Sequence, residues 1–125
     1  MRKESKQPIS KIQRELWKEC KRIIRKRYPP TCYTCGATRL RGSNCQTGHM
    51  LAKASLGAYL KYDLRLLRIQ CSTCNLWRGG MGAIFIENMR KIEGDEYVDQ
   101  ILKDRQVTVK AYDHYVKLLA EYKKL

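Results

Sequence analysis

Acidic side chains are scarce in this chain, with 12 Asp and Glu against 26 Lys and Arg, a formal net charge of +14. That imbalance argues against a cationic partner and for a polyanionic one, most simply nucleic acid, whose phosphates release counterions when lysine and arginine neutralise them. The bland alternative is a charge that serves only solubility. No stretch approaches the roughly 20 apolar residues of a membrane span, and the start, Met1-Arg2-Lys3, lacks the apolar run of a signal peptide. A cytoplasmic protein is therefore expected, in the bacterial host if the gene is carried by a phage. In that reducing compartment its six cysteines would be metal ligands and free thiols rather than disulfides. Histidine is rare too, with only His49 and His114, so imidazole chemistry has few places to reside.

Four of the six cysteines form two pairs of matching spacing, Cys32-Tyr33-Thr34-Cys35 and Cys71-Ser72-Thr73-Cys74. One tight turn of this kind aims two sulfurs at a single ion, and two turns supply the tetrahedral four-thiolate set of structural zinc. A pair of disulfides, four ordinary core cysteines, or an iron centre of rubredoxin type use the same residues. Closure of a disulfide within so short a turn is awkward, and an electron carrier would suit so basic a surface poorly.

Residues 1–28 carry eleven basic side chains and three acidic ones. Ser10 with Gln13 reads as a capping box. Ile12, Leu16, Cys20, Ile23 and Ile24 then recur at helical spacing, which predicts an amphipathic helix with a cationic outer face. Pro29-Pro30 ends it. The 35 residues between Cys35 and Cys71 hold two expected strands, 44–50 and 64–70, joined by a loop or short helix over 51–62. Beyond Cys74 a helix begins near Asn75, breaks at Gly79-Gly80, and resumes over 83–92. Further helices are expected near 95–105 and 108–124, the last with Tyr112, Tyr115, Leu119 and Tyr122 on one face. The fold class is α+β: a zinc-stabilised strand–strand–helix core over 31–93, a basic N-terminal helix over 1–30, and C-terminal helices over 94–125 packed on the core.

His49 falls at the end of the first strand and Asn75 directly after the last cysteine. Phosphodiester hydrolysis needs a base for water and a hard cation against the developing charge. A neutral imidazole suits the first role, and an amide oxygen is a ligand for Mg²⁺ or Mn²⁺. Against these stand a structural histidine and a helix N-cap asparagine. His114 reads as surface or packing. Trp17 and the tyrosines read as core rather than as platforms for bases.

The run Gly48-His49 followed by Leu67-Arg68-Ile69-Gln70-Cys71-Ser72-Thr73-Cys74-Asn75 resembles the signature of HNH nucleases, the ββα-metal superfamily, with paired zinc knuckles. More of the chain, from Leu16 to the C-terminus, resembles the NinG (Rap) recombination endonucleases of lambdoid phages. The residues that carry this are Arg25, Cys35-Gly36, Gly42-Ser43-Asn44, Thr47-Gly48-His49, Tyr62-Asp63-Leu64-Arg65 and Glu96-Tyr97-Val98-Asp99. The Cys-x-x-Cys-Asn ending is also similar to phage endonuclease VII. The resemblance implies a metal-dependent endonuclease of phage recombination acting on branched DNA such as D-loops and Holliday junctions, leaving 5′-phosphate and 3′-hydroxyl ends. It implies His49 as the base and Asn75 as a ligand of the catalytic Mg²⁺ or Mn²⁺. The chain departs from the HNH pattern at Leu66, where the pattern has an asparagine that orients the histidine. It departs again at Gly48, where many members place a metal ligand. Asp63 is the expected supporting ligand, or else a turn residue paired with an arginine. Lys18, Arg22, Arg25, Lys53, Arg65, Arg68 and Arg78 are the expected phosphate contacts. Symmetric cutting of a junction would call for a homodimer. The alternatives are a non-catalytic zinc-stabilised DNA-binding recombination mediator, or an adaptor that uses the tyrosine-rich last helix.

Overall fold

The computed structural model describes residues 6–125. Its first element, α1 (Ile9–Arg27), buries the five stripe residues Ile12, Leu16, Cys20, Ile23 and Ile24. The capping box is not used: the helix starts one residue before Ser10, with Pro8 at the cap position and no side-chain cap. The Pro8 carbonyl instead accepts from the N–H groups of Lys11 and Ile12 at 3.1 and 3.3 Å. At the other end Arg25, Lys26 and Arg27 fill the last turn, where cations favour the helix dipole. Tyr28 is extended ahead of Pro29, as the prolines require.

A two-stranded antiparallel hairpin follows, β1 (Gln46–His49) against β2 (Leu67–Gln70), with Gln46 opposite Gln70, Gly48 opposite Arg68 and His49 opposite Leu67. Both strands are shorter than expected, each starting later because a tight single turn runs up to it. One spans Gly42–Asn44 and the other Leu64–Leu66. In the second, the Asp63 carboxylate accepts the Arg65 N–H at 2.9 Å, a local bond that competes with the ladder. The connection holds a short helix, α2 (Ala58–Lys61). After β2 a single wide turn of π type spans Thr73–Trp77. Then come α3 (Gly82–Glu93), α4 (Asp95–Asp104) and α5 (Ala111–Tyr122), close to the expected bounds. Gly94, at φ +96°, makes the sharp joint between α3 and α4, a backbone state that L side chains resist.

One cluster of buried side chains runs from α1 through the hairpin to α5. Tyr122 in α5 donates its hydroxyl to the Tyr62 carbonyl at 2.8 Å, and Arg22 of α1 donates to the Tyr122 carbonyl at 3.0 Å. The first and last helices therefore pack against each other, with α5 also held to the connection between the strands. Leu16 and Ile24 lie fully inside, where truncation to alanine costs about 2–5 kcal/mol. Among the described residues no helix is long and apolar enough to cross a membrane.

Candidate metal centre and adjoining cleft

The four sulfurs of Cys32, Cys35, Cys71 and Cys74 all lie within 4.8 Å of one another. Cys35 Sγ and Cys71 Sγ are 3.7 Å apart, close to the ~3.8 Å edge of a tetrahedron with Zn–S bonds of about 2.3 Å. Each pair forms the same small turn. Cys35 N–H points at Cys32 Sγ and Cys74 N–H at Cys71 Sγ, both at 3.5 Å. The Tyr33 N–H donates to the Ile69 carbonyl at 2.8 Å, which fastens the first turn to β2 just ahead of the second.

The donor chemistry fits a dication. Burial and the neighbouring sulfurs of Cys71, Cys32 and Cys35 push the Cys74 thiol up to about 12. Cys32 is also opposed by burial, yet hydrogen bonds from Thr34 and nearby backbone N–H groups bring it down to about 6. The set can start to ionise but cannot carry four negative charges unless a cation sits among them.

The imidazole of His49 lies on the face of Trp17, with ring centroids 5.2 Å apart and planes 19° from parallel. Its Nε2 is 2.9 Å from the Lys61 carbonyl oxygen. A carbonyl only accepts, so Nε2 carries the proton and Nδ1 keeps its lone pair. Burial pushes the group down to about 4, helped by the charges of Lys53 and Lys61 and opposed by the carbonyl bond. Near neutral pH this ring is an uncharged base of fixed tautomer. The Lys61 carbonyl, which no side-chain motif advertises, orients the ring, and the asparagine expected from the HNH pattern would stand at residue 66. Leu66 at that position is fully buried core.

Asn75 is oriented by a short relay. Gln46 Nε2 donates to the Ser43 carbonyl at 2.8 Å, so Gln46 Oε1 faces Asn75 and accepts its Nδ2 at 2.9 Å. Asn75 Oδ1 accepts no hydrogen bond among the described residues. His49 and Asn75 line one cleft of about 400 Å³ together with Trp17, Thr47, Lys53 and Gly79. A neighbouring cleft of about 280 Å³ shares Trp17, Thr47 and Asn75 and adds Lys21 and Arg25. A third, of about 340 Å³, shares Trp17 and Lys53 and adds Arg14 and Lys61. The three share Trp17 and form a groove along the flank of α1 that adjoins its buried stripe and carries Arg14, Trp17, Lys21 and Arg25. Lys53 Nζ sits 4.5 Å above the Trp17 ring. The Thr47 hydroxyl, buried between the first two clefts, has no hydrogen-bond partner among the described residues.

The expected phosphate contacts divide. Arg25 and Lys53 wall the groove, and Arg78 is exposed beside it in the turn after Trp77. Lys18 is exposed on α1 but lines none of the three clefts. Arg22 is bound to Glu19 at 2.6 Å and to the end of α5. Arg68 is a correction. Only 1% exposed, it donates to the Leu67 carbonyl at 2.7 Å and lies 4.7 Å from the Tyr28 ring, so it is core. Arg65 is held by Asp63 and Asp104 at 2.8 and 2.9 Å. Asp63 is accordingly the turn residue and ion-pair partner of Arg65 and lines neither the His49 cleft nor its neighbours.

Among the described residues no carboxylate lines the His49–Asn75 cleft. Asn75 Oδ1 is the side-chain oxygen of the cleft suited to a hard cation. Sequence reasoning missed Trp17, Gln46, Thr47 and the Lys61 carbonyl as parts of the site. The first three come together only through the packing of α1 against β1. Arg14 and Lys21 were visible in the helical periodicity, on the arc of α1 that carries Arg25. No protein-family model, curated protein or solved structure matches the chain.

Proposed function

We propose that this protein is a metal-dependent DNA endonuclease of the HNH kind, acting on branched DNA in phage recombination as its NinG-like motifs imply. The observation that carries the reading is the placement of a neutral, tautomer-fixed His49 in the same cationic groove as Asn75 Oδ1. Lys21, Arg25 and Lys53 would hold the backbone phosphates, contacts that position a duplex without reading its sequence. His49 Nδ1 takes a proton from a water as its oxygen bonds to phosphorus, and the bond from phosphorus to the 3′ oxygen breaks; that oxygen takes a proton from solvent, leaving a 5′-phosphate and a 3′-hydroxyl. The Lys61 carbonyl keeps Nε2 protonated and stabilises the imidazolium that forms. A divalent cation bound at Asn75 would supply charge neutralisation at the phosphate and the departing oxygen. The four-cysteine zinc would be structural, its positions all filled by protein.

The absence of a carboxylate in the cleft favours a second reading, a zinc-stabilised DNA-binding recombination mediator that keeps the nuclease frame without cutting. Nicking of a labelled branched DNA in Mg²⁺ or Mn²⁺, with wild type beside His49→Ala and Asn75→Ala, separates the two. Cutting by wild type alone supports the enzyme. Binding by all three proteins with no cutting by any leaves the mediator.

A further inference from the structure

Leu76 and Trp77 are adjacent apolar side chains on the surface, 64% and 84% exposed. They stand between Asn75 and Gly79, both of which line the His49 cleft, so the pair lies at its rim. The segment is firmly built. Cys74 belongs to the sulfur cluster, the Arg78 N–H donates to the Thr73 carbonyl at 2.9 Å, and the Gly80 N–H to the Cys74 carbonyl at 2.8 Å. Gly79, Gly80 and Met81 all have positive φ, at 62°, 84° and 55°. The backbone that carries the Leu-Trp pair is held by its own hydrogen bonds, so docking against the pair costs little backbone ordering entropy.

Its surroundings favour one occupant. Arg78 is exposed next to it, and no acidic residue occurs from Cys71 to Ile86. Two apolar side chains are too few for a protein interface of about 800 Å² per partner. An indole beside a guanidinium at the edge of a phosphate-binding groove matches a nucleobase whose face is free, since every base has a π face and its own phosphate. We propose that Leu76 and Trp77 form a wedge that stacks on unpaired bases, so that the protein prefers DNA with unstacked positions beside the cleft. The inference rests on the DNA-binding part of the proposed function but not on catalysis.

The test is binding without added divalent ion, using a duplex with a short unpaired bulge that carries a fluorescent adenine analogue, and the same duplex fully paired. Wild type should bind the bulged DNA more tightly and quench the analogue. Trp77→Ala should lose roughly tenfold in affinity for the bulged DNA, leave the analogue bright and bind paired DNA as before. Trp77→Phe should restore most of the preference. Equal affinity of wild type for both DNAs, or an equal loss on both in Trp77→Ala, overturns the wedge while leaving the nuclease reading intact. Trp77-dependent binding to anionic lipid vesicles without discrimination between the DNAs also overturns it. A protein that discriminates in this way yet never cuts retains the wedge and loses the nuclease.

Discussion

A Cβ added to Gly48 would fall 1.7 Å from Oε1 of Gln70, two residues beyond its cross-strand partner Arg68. Gln70 is fully buried and pinned by its own amide, which donates to the Gly80 carbonyl at 2.9 Å and to Thr34 Oγ1 at 3.1 Å. Glycine at the position before His49 is thus the complement of Gln70, which ties β2 to the turn after Asn75 and to the first cysteine turn. Gly48→Ala should destabilise the protein by about 2–4 kcal/mol, from overpacking and lost buried hydrogen bonds. Gly48→Ala combined with Gln70→Ala should cost less than the two single changes added together. Urea midpoints at constant slope measure both.

The sulfur cluster predicts one zinc per chain by elemental analysis. Cys71→Ser or Cys74→Ser, at buried sulfurs, should abolish zinc binding and the cooperative unfolding transition, because the hairpin and the turn bearing Asn75 meet there. Strong chelation of the wild type should give the same loss, measured by circular dichroism and reversed by added zinc.

The low basicity of His49 sets two pH dependences. Its folded value is about 4 against an ordinary 6.5, so the base form persists well below neutrality. The acid limb of kcat/KM should lie near 4, with no imidazole inflection between pH 5 and 8. For stability the sign follows from proton uptake. Between 6.5 and 4 the unfolded chain takes a proton that the folded ring refuses. The contribution is therefore complete above 6.5 and falls as the pH drops toward 4, by up to about 1.4 kcal/mol per pH unit. His49→Gln should flatten that slope, read from urea midpoints across the range.

The two remaining thiols should differ in reactivity. Cys20 is fully buried, lies 3.6 Å from the Tyr62 carbonyl, and is pushed up to about 12 by burial. Cys45 is half-buried at the edge of the groove beside Arg25. Titration of the native zinc-loaded protein with a thiol reagent should modify Cys45 in minutes and Cys20 only on unfolding. Bound DNA should protect Cys45.

Much of the fold was legible because it rests on local periodicity. The buried stripe of α1, the stop at Pro29-Pro30 and the last three helices follow from residue spacing. The four-cysteine cluster follows from matched turns, which align sulfurs whatever the intervening chain does. The strand ends were less legible, since the Asp63 carboxylate diverts the Arg65 N–H from the ladder and Gly42 starts a turn. The role of Arg68 was hidden for a related reason, whereas that of Asp63 was one of the two readings its position offered. A charged side chain shows its charge in sequence, but only tertiary pairing decides whether that charge faces solvent, as at Arg78, or an aromatic core, as at Arg68. The Lys61 carbonyl was beyond reach, because every residue has one.

The most direct measurement is single-turnover cleavage of branched DNA in Mn²⁺ by wild type and His49→Ala, with DNA affinity measured in parallel. Loss of the base should lower the rate by about 10²–10⁴-fold, leave affinity nearly unchanged and be partly reversed by added imidazole. Equal cleavage by the two proteins, or no cleavage by a zinc-loaded wild type that binds the DNA, would contradict the account.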